Sequence, residues 1–255
     1  MNPRPQSLHR LYPHPAAKMT AAQAVASLDP GAGAVADRPY VICNFVATAD
    51  GKATVDGRSG PLGDQADREL FQRLRTRVDA VLVGAGTMRI ERYGRLVRDP
   101  ELRSARQCAG LHPDPLACVV TRSLRLPVDI PVFQDRDSTI AVYTSATKSF
   151  PATPARVEVT RMPPVQLTMT AVLRHLRNHH GVKSVLCEGG PTVLGLLLAE
   201  ELLDEFFITV STTLAGGVEL PVSTGKSPPE SLKLRLLWVL EHHGSVFLRY
   251  AVTDR

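Results

Sequence analysis

The stretch that decides the fold is residues 183–198, KSVLCEGGPTVLGLLL. A short apolar run is followed by an acid and two glycines, and Pro191 then opens a leucine-rich segment. This order predicts a buried strand, a tight turn and a helix. Residues 80–87, AVLVGAGT, repeat the arrangement with Gly84 and Gly86. Two such junctions predict turns at the carboxyl ends of two strands, where open α/β sheets bind ligands.

Strand-like runs alternate with helical patterns from Tyr40 onward. Uniformly apolar strands separated by helices are typical of a parallel sheet that is covered on both faces. The last run, residues 236–253, predicts a hairpin that turns near Gly244. The predicted fold class is therefore α/β, with a mostly parallel central sheet, helices on both faces and an antiparallel C-terminal hairpin. The other predicted strands are residues 40–47, 80–84, 116–121, 138–145, 184–188 and 205–211, and the predicted helices are 64–77, 168–181 and 191–203.

The N-terminal residues 1–38 are rich in Pro, Ala and Gly. We predict a flexible leader there, in which Leu8, Leu11 and Tyr12 are placed to contact the body, and a single domain over residues 39–255. No apolar run approaches the roughly 20 residues that span a membrane, and the N-terminus lacks a signal-peptide pattern. These features predict a cytoplasmic protein without a membrane partner.

The positive charge is concentrated in one part of the chain. The formal net charge is +5, and residues 58–106 carry 11 arginines against 7 acids. Arginine favours fork-like binding of phosphate groups, which indicates a phosphorylated small molecule as ligand. The chain has no run of five basic residues and only 5% aromatic residues, so the composition argues against nucleic-acid binding.

Cysteine and histidine spacing predicts no metal site. The four cysteines include no CxxC pair. The doublets His179–His180 and His242–His243 have no acid or cysteine at ligand spacing, and we interpret both doublets as loop or surface residues.

Asp67 lies at the centre of the apolar stripe of the helix predicted over 64–77. A carboxylate that faces an apolar interior is costly unless it is paired or binds something. One interpretation is that this first-turn acid favours the helix dipole or pairs with Arg68 or Arg75. The other is that Asp67 hydrogen-bonds a nitrogen heterocycle at the rim of the sheet.

Several motifs together resemble the pyrimidine reductase family of riboflavin biosynthesis, which includes the C-terminal domain of bifunctional bacterial deaminase/reductases and has a dihydrofolate-reductase-like fold. The sequence contains DGK, GAGT and EGGPT in the order of that family, and the similarity extends over residues 39–252. Residues 91–94, ERYG, resemble the stand-alone actinobacterial members. The matching stretches are residues 46–63, 66–91, 119–127 and 185–217.

The resemblance implies NADPH as cofactor, lying across the two glycine junctions. The segment TRSLR that begins at Thr121 matches the one that receives the adenosine 2′-phosphate. The implied cofactor-binding residues are Thr48, Asp50, Gly84, Gly86, Thr87, Arg122, Ser123, Arg125, Gly189, Gly190, Pro191 and Thr192.

The resemblance also implies the substrate side of the site and a homodimer. A phosphoribosylamino-pyrimidine would be reduced at the sugar C1, and two arginines would face the sugar phosphate. The implied substrate-binding residues are Ser59, Asp67, Arg75 and Arg98, and the implied catalytic residues are Glu188, Asp67 and Glu91.

Three departures from the family pattern leave alternatives open. Glu91, Arg92 and Tyr93 stand where typical members have consecutive acids, and Pro61 replaces a common tryptophan. The chain has no HxE or PCxxC motif, which argues against deamination. The alternatives are reduction of dihydrofolate or another pterin, and a non-catalytic NADPH-binding protein.

Overall fold

An 11-stranded β-sheet crosses the protein from edge to edge. This computed structural model describes residues 5–253. The strands are β1 (Leu8–Tyr12), β2 (Ala16–Met19), β3 (Tyr40–Ala47), β4 (Ala80–Gly84), β5 (Leu116–Thr121), β6 (Thr139–Thr144), β7 (Arg156–Arg161), β8 (Ser184–Cys187), β9 (Glu205–Val210), β10 (Lys233–His242) and β11 (Ser245–Thr253). The helices are α1 (Ala21–Ala24), α2 (Gln65–Arg75), α3 (Ala85–Ile90), α4 (Pro100–Cys108), α5 (Pro131–Gln134), α6 (Met169–His180) and α7 (Pro191–Ala199), with a 3-10 turn at Pro30–Gly33.

The sheet has a parallel part and an antiparallel part. Its spatial order is β2-β1-β10-β11-β9-β3-β8-β4-β5-β6-β7. The strands from β9 to β7 pair in parallel, and those from β9 back to β2 pair antiparallel. The predicted α/β class, with its parallel centre and C-terminal hairpin, is confirmed.

Helices cover both faces of the sheet, as the apolar strands require. On one face α2 packs its buried Leu70 and Leu74 into a core cluster that includes Val81 and Val119. On the other face α6 and α7 contribute Leu173 and Leu194 to a second cluster. The helix ends follow local signals: Gly181 adopts the left-handed conformation after α6, with φ of 66°, and Pro191 occupies the first turn of α7.

The prediction of a flexible leader is wrong for residues 16–24, which form β2 and α1, whereas the contact expected of Leu8 with the body is present in β1. Strand β1 pairs with β10, the outer strand of the C-terminal hairpin, and Leu8 is completely buried. Leu11 and Tyr12 are exposed. The hairpin edge would otherwise present unpaired backbone groups, which β1 satisfies.

Other elements were not predicted. Strand β7 alternates valine with polar residues and is only half-buried, and α3 to α5 are short. The interpretation of the histidine doublets as loop or surface residues is also wrong in part. His179 and His180 form the last turn of α6, and His242 is a buried residue at the end of β10 that contacts Asp64 at 3.0 Å.

Candidate functional site

A cleft of about 1050 Å³ opens at the carboxyl ends of the parallel strands. Strand β3, the segments after β4 and β8, one side of α2 and the loops before α2 and after α3 line it. Its position matches the expectation for ligand sites of open α/β sheets. The cleft brings together these residues singled out from the sequence: Ser59, Asp67, Arg75, Thr87, Glu91, Arg98, Glu188, Gly190 and Pro191.

The two glycine junctions lie directly against each other because β4 and β8 are neighbours in the sheet. The Gly84 N–H donates to the Gly189 carbonyl at 2.8 Å. A Cβ on Gly190 would stand 2.6 Å from the Thr87 hydroxyl oxygen, and one on Gly84 would stand 3.0 Å from the side chain of Val193. These close contacts leave no room for a side chain at Gly84 or Gly190, so packing within the protein is enough to require glycine at both positions. Thr87 of the first junction and Gly190 of the second then line the cleft side by side.

Gly86 differs from those glycines because a Cβ there would meet nothing within 4 Å. The residue is exposed in the first turn of α3. Close packing within the chain therefore gives no reason for a glycine at this position. The open space is available for a ligand to approach the backbone.

A buried ionic cluster joins α2, β8 and the segment after α3. The Arg75 Nε donates to Glu188 Oε1 at 2.6 Å, and its Nη2 donates to Glu188 Oε2 at 2.7 Å. The Tyr93 hydroxyl also donates to Oε2, at 2.8 Å. The side chains of Arg75 and Glu188 are 8% and 0% exposed. Burial and the Glu188 charge raise the pKa of Tyr93 well above its usual value, so this hydroxyl remains a donor.

This cluster changes the roles inferred for its members. The remaining guanidinium donor group of Arg75, Nη1, donates to the Leu96 carbonyl at 2.7 Å. All three nitrogens of Arg75 are thus engaged within the protein, which does not fit a phosphate-binding role. Both oxygens of Glu188 are engaged as well. The arrangement makes Arg75 a positioning residue for Glu188.

Ser59, Glu91 and Arg98 form the polar rim of the cleft. The Ser59 hydroxyl donates to Glu91 Oε1 at 2.8 Å. Arg98 is exposed, and no hydrogen bond or ion pair engages its guanidinium within the described chain. The guanidinium occupies the space that a side chain on Gly94 would fill. Arg98 is therefore the arginine of the predicted pair that is free to bind an anion.

Asp67 is buried at the edge of the cleft, as its place on the helix predicts. It is 9% exposed, and its carboxylate fills the space beside Gly63 where a Cβ would otherwise lie. Burial raises the pKa of Asp67 to about 6, while a hydrogen bond from Thr209 opposes the shift. Arg68 donates to the Gly63 carbonyl and Arg75 to Glu188, so neither supplies the pairing considered from the sequence.

The replacement Asp67→Asn is expected to stabilise the protein at pH 8. The folded state holds the Asp67 proton more tightly than the unfolded state does, so wild-type stability falls as the pH rises from about 4 to about 6 and the loss persists above that range. A shift from 3.8 to about 6 corresponds to about 3 kcal/mol. Urea unfolding at pH 8 and pH 4 measures the difference, which is expected to shrink at pH 4.

The matched control for this prediction is Asp129→Asn, because the Asp129 side chain is 69% exposed. Its free energy of unfolding is expected to change by less than about 0.5 kcal/mol at either pH. An equal effect of Asp67→Asn at both pH values would contradict the assignment of a raised pKa to Asp67.

Thr48 and Asp50 lie outside the cleft lining and organise a neighbouring loop. The Thr48 hydroxyl donates to Asp50 Oδ1 at 2.5 Å, and the Ala215 and Gly216 N–H groups donate to the same carboxylate. These bonds lower the pKa of Asp50 to about 2, the Thr48 bond most strongly. Asp50 therefore ties the turn after β3 to the loop after β9.

The segment after β5 presents two exposed guanidinium groups. Leu124 is buried and its N–H donates to the Thr121 hydroxyl, which anchors the loop. Arg122, Ser123 and Arg125 are exposed, and neither arginine has an acidic partner in the described part of the chain. Thr192 is exposed at the start of α7, whose N-cap Gly190 provides no side-chain cap.

Tyr93 is the site residue that sequence reasoning missed. It was noted only as a departure from the family pattern, although its hydroxyl completes the Glu188 cluster. Tyr93 lies in a loop with few apolar residues, so no helical or strand periodicity in the sequence indicated that its side chain is part of the site. A tyrosine in place of an expected acid was the available indication that this part of the site had changed.

The fold and the cleft define an α/β protein with a charged, concave site at the carboxyl ends of its parallel strands. Comparison with known proteins makes the class specific. The family model described as RibD C-terminal domain matches residues 39–246. The chain therefore belongs to the RibD C-terminal domain family, and the resemblance found in the sequence is confirmed.

Relatives and solved structures agree with this family. The 2,5-diamino-6-ribosylamino-4(3H)-pyrimidinone 5′-phosphate reductase of Archaeoglobus fulgidus is 32% identical over 74% of this chain and 88% of that protein. The crystal structure of a pyrimidine reductase-like protein from Corynebacterium diphtheriae has a TM-score of 0.76 at 24% identity, covering 93% of this chain and all of the other. The Saccharomyces cerevisiae riboflavin biosynthesis reductase Rib7 has a TM-score of 0.66 at 17% identity, covering 91% and 98%.

These findings identify a family of oxidoreductases of riboflavin biosynthesis. The two structural likenesses are below 25% in identity and support the fold alone. Among the described residues, no helix is long and apolar enough to cross a membrane.

Proposed function

We propose that this protein is an NADPH-dependent reductase that acts on a phosphoribosylamino-pyrimidine and opens its ribose to a ribityl chain. The observation that carries the proposal is the lining of the cleft, in which Thr87 and Gly190 of the glycine junctions meet Arg75, Tyr93 and Glu188 of the ionic cluster. A flat cofactor on the junctions and a polar substrate against the cluster would meet there. The named activity of the Archaeoglobus relative supports this substrate class.

The residues present fit the cofactor. The first junction offers exposed backbone at Gly86, and α7 begins with Pro191 and without a side-chain cap, so the Thr192 N–H is available to a phosphate. Arg122 and Arg125 are exposed and have no acidic partner in the described chain, which supports assigning them to the 2′-phosphate that distinguishes NADPH from NADH. When bound, NADPH supplies the hydride for the sugar C1.

The side chains of the cleft orient the substrate and handle one proton. The C1–O4 bond of the ribose breaks as C1 is reduced, and O4 takes up a proton to become a hydroxyl. Ser59 and Glu91 form a hydrogen-bonded pair on the rim and are positioned to contact sugar hydroxyls. Asp67, with its raised pKa, is suited to hydrogen-bond the pyrimidine N–H groups or to exchange a proton near neutral pH.

The replacement Gly86→Ala is expected to weaken NADPH binding without lowering the stability of the protein. The new methyl group meets no atom of the chain, and alanine favours a helix, so stability is expected to be unchanged or higher by up to about 1 kcal/mol. The methyl would stand where the dinucleotide approaches the backbone, and NADPH binding is expected to weaken by roughly tenfold. Fluorescence titration gives the dissociation constant and thermal unfolding gives the stability.

Gly31→Ala is the control for this variant, because a Cβ at Gly31 would make only ordinary contacts, the nearest at 3.6 Å. Gly31 lies in the 3-10 turn at Pro30–Gly33, outside the cleft lining, so the NADPH dissociation constant is expected to stay at the wild-type value. Unchanged NADPH binding by Gly86→Ala would place the dinucleotide elsewhere.

Oxidation of NADPH by the purified protein tests the proposed reaction. We expect turnover with 2,5-diamino-6-ribosylamino-4(3H)-pyrimidinone 5′-phosphate or 5-amino-6-(5-phosphoribosylamino)uracil, and none with dihydrofolate in a parallel assay. Turnover of dihydrofolate alone would contradict the proposal and favour a pterin reductase. Binding of NADPH without turnover of any of the three would favour a non-catalytic protein.

Arg98→Ala is expected to raise KM for the phosphorylated substrate by roughly tenfold or more, because the Arg98 guanidinium lines the cleft and is engaged by no group of the described chain. The same variant is expected to treat the dephosphorylated substrate as the wild type does. Equal losses on both substrates would show that Arg98 does not bind the phosphate.

The cytoplasmic location and the homodimer expected from the sequence remain proposals. Mass measurement in solution decides between one and two copies, and a monomer would refute the dimer.

A further inference from the structure

Three side chains with metal-binding atoms converge where α6 ends beside the sheet. His179 Nε2 lies 3.0 Å from Glu158 Oε1, and His180 Nε2 lies 3.9 Å from the same oxygen. One ligand atom from each of the three residues falls within 4.8 Å of the others. Donor atoms bound to one zinc ion lie about 2 Å from it, and therefore at most about 4 Å apart. Small rotations of these side chains would bring all three within reach of one ion.

The cluster lies on elements that are separate from the proposed active site. Glu158 is in the centre of β7, the edge strand of the parallel part, and the histidines form the last turn of α6. In the described chain, neither element lines the cleft. Val157 and Val159 pack into the core cluster on one face of the sheet, so the alternation of the strand directs Glu158 to the other face, which α6 covers.

One atom of the cluster is buried without a partner. His180 Nε2 is inaccessible to solvent and makes no hydrogen bond. A buried polar atom in this state costs free energy unless something satisfies it. The His180 ring is 16% exposed, whereas His179 and Glu158 are 56% and 42% exposed, so an ion could enter from solvent.

The groups around the cluster include some that favour a bound cation and one that opposes it. The C-terminal end of α6 carries the negative end of the helix dipole, which favours positive charge. His175 lies one turn earlier, with its ring centroid 4.8 Å from that of His179, and its Nδ1 contacts the Tyr143 hydroxyl at 3.0 Å. Arg156, on the same strand as Glu158, is the nearby cation that opposes binding.

We propose that Glu158, His179 and His180 bind one divalent transition-metal ion, with zinc as the best match. Imidazole and carboxylate together suit zinc, which tolerates distorted four-coordinate sites and accepts water as its remaining ligand. The ion joins the edge strand β7 to the end of α6. This site is structural and independent of the reductase activity, and it satisfies the orphaned nitrogen of His180.

Calorimetric titration with zinc chloride tests the site. The full chain is used with its purification tag removed, after treatment with a chelator, and with Cys108→Ser in every variant because Cys108 is an exposed thiol that could compete for zinc. We expect saturable binding of one equivalent and a zinc-dependent rise in the melting temperature. The double variant His179→Ala/His180→Ala is expected to bind at least about tenfold more weakly and to lose the thermal shift.

Two further variants keep the result interpretable. Glu158→Gln preserves the shape of the side chain and removes its charge, and it is expected to weaken zinc binding without unfolding the protein. His243→Ala removes one exposed imidazole from the other doublet and is expected to leave binding unchanged. Absence of saturable binding by the parent protein, or equal affinity in the parent and the double variant, would overturn the proposal.

Discussion

Replacing Arg75 with methionine is expected to lower the free energy of unfolding by about 3–5 kcal/mol. The substitution keeps an apolar stem of similar length but leaves the Glu188 carboxylate buried without its cation, since the side chain of Glu188 is 0% exposed. The Leu96 carbonyl loses its donor as well. Urea unfolding at pH 7.5, with and without NADPH, measures the loss, and turnover is expected to fall because Glu188 is no longer held in place.

Two variants show whether this loss comes from the stranded charge. The double variant Arg75→Met/Glu188→Leu removes both charges and is expected to recover most of the stability, although not the activity. Arg95→Met breaks a similar bidentate pair with Asp135, but the Arg95 side chain is 24% exposed. That control is expected to cost about 1 kcal/mol or less. Similar losses of unfolding free energy for Arg75→Met and Arg95→Met would contradict the claim that an unpaired carboxylate costs more when it is buried.

Removal of the two exposed arginines after β5 is the second prediction with a large effect. Arg122→Ala/Arg125→Ala is expected to weaken NADPH binding by roughly tenfold for each arginine, because each would lose a charge-assisted hydrogen bond to the 2′-phosphate. NADH lacks that phosphate, so its affinity is expected to change little. The ratio of the two dissociation constants is therefore expected to fall by roughly one hundredfold.

The measurement is a fluorescence titration with each dinucleotide. Arg136→Ala serves as the control, since Arg136 is exposed and lies in the segment before β6, outside the TRSLR loop. It lowers the net charge in the same sense and is expected to leave the ratio unchanged. An equal loss of NADPH and NADH affinity in the double variant would mean that the TRSLR loop shapes the cofactor site but does not bind the 2′-phosphate.

The elements of the fold that the sequence predicted share one property, namely that their signals are local. The apolar runs at Tyr40–Ala47 and Ala80–Gly84 are short, contain β-branched residues and are followed by glycine turns, and these local features predict buried strands. Gly181 and Pro191 mark a helix end and a helix start through backbone geometry alone. Asp67 was found because helical periodicity placed it among apolar neighbours.

The leader shows where local composition misleads. Its Pro- and Ala-rich segment has little apolar surface, so the sequence indicated a flexible chain. What orders β1 is the open edge of β10, more than 220 residues away in the sequence, where His9 aligns with Glu241. Strands pair through backbone N–H and C=O groups, which are the same for nearly all residues. The sequence of either strand therefore does not show which distant edge it will pair with.

The sequence by itself determined the α/β class, the two glycine junctions and the position of Asp67, because each follows from periodicity or backbone geometry within a few residues. Only the tertiary structure decided which charges meet. Residues 58–106 contain 11 arginines, and nothing local shows that Arg75 binds Glu188, 113 residues away, while Arg98 stays free. The same holds for Glu158 beside His179 and His180. Sheet order and helix packing choose among partners that are chemically equivalent in the sequence, and that choice is made only when the core closes.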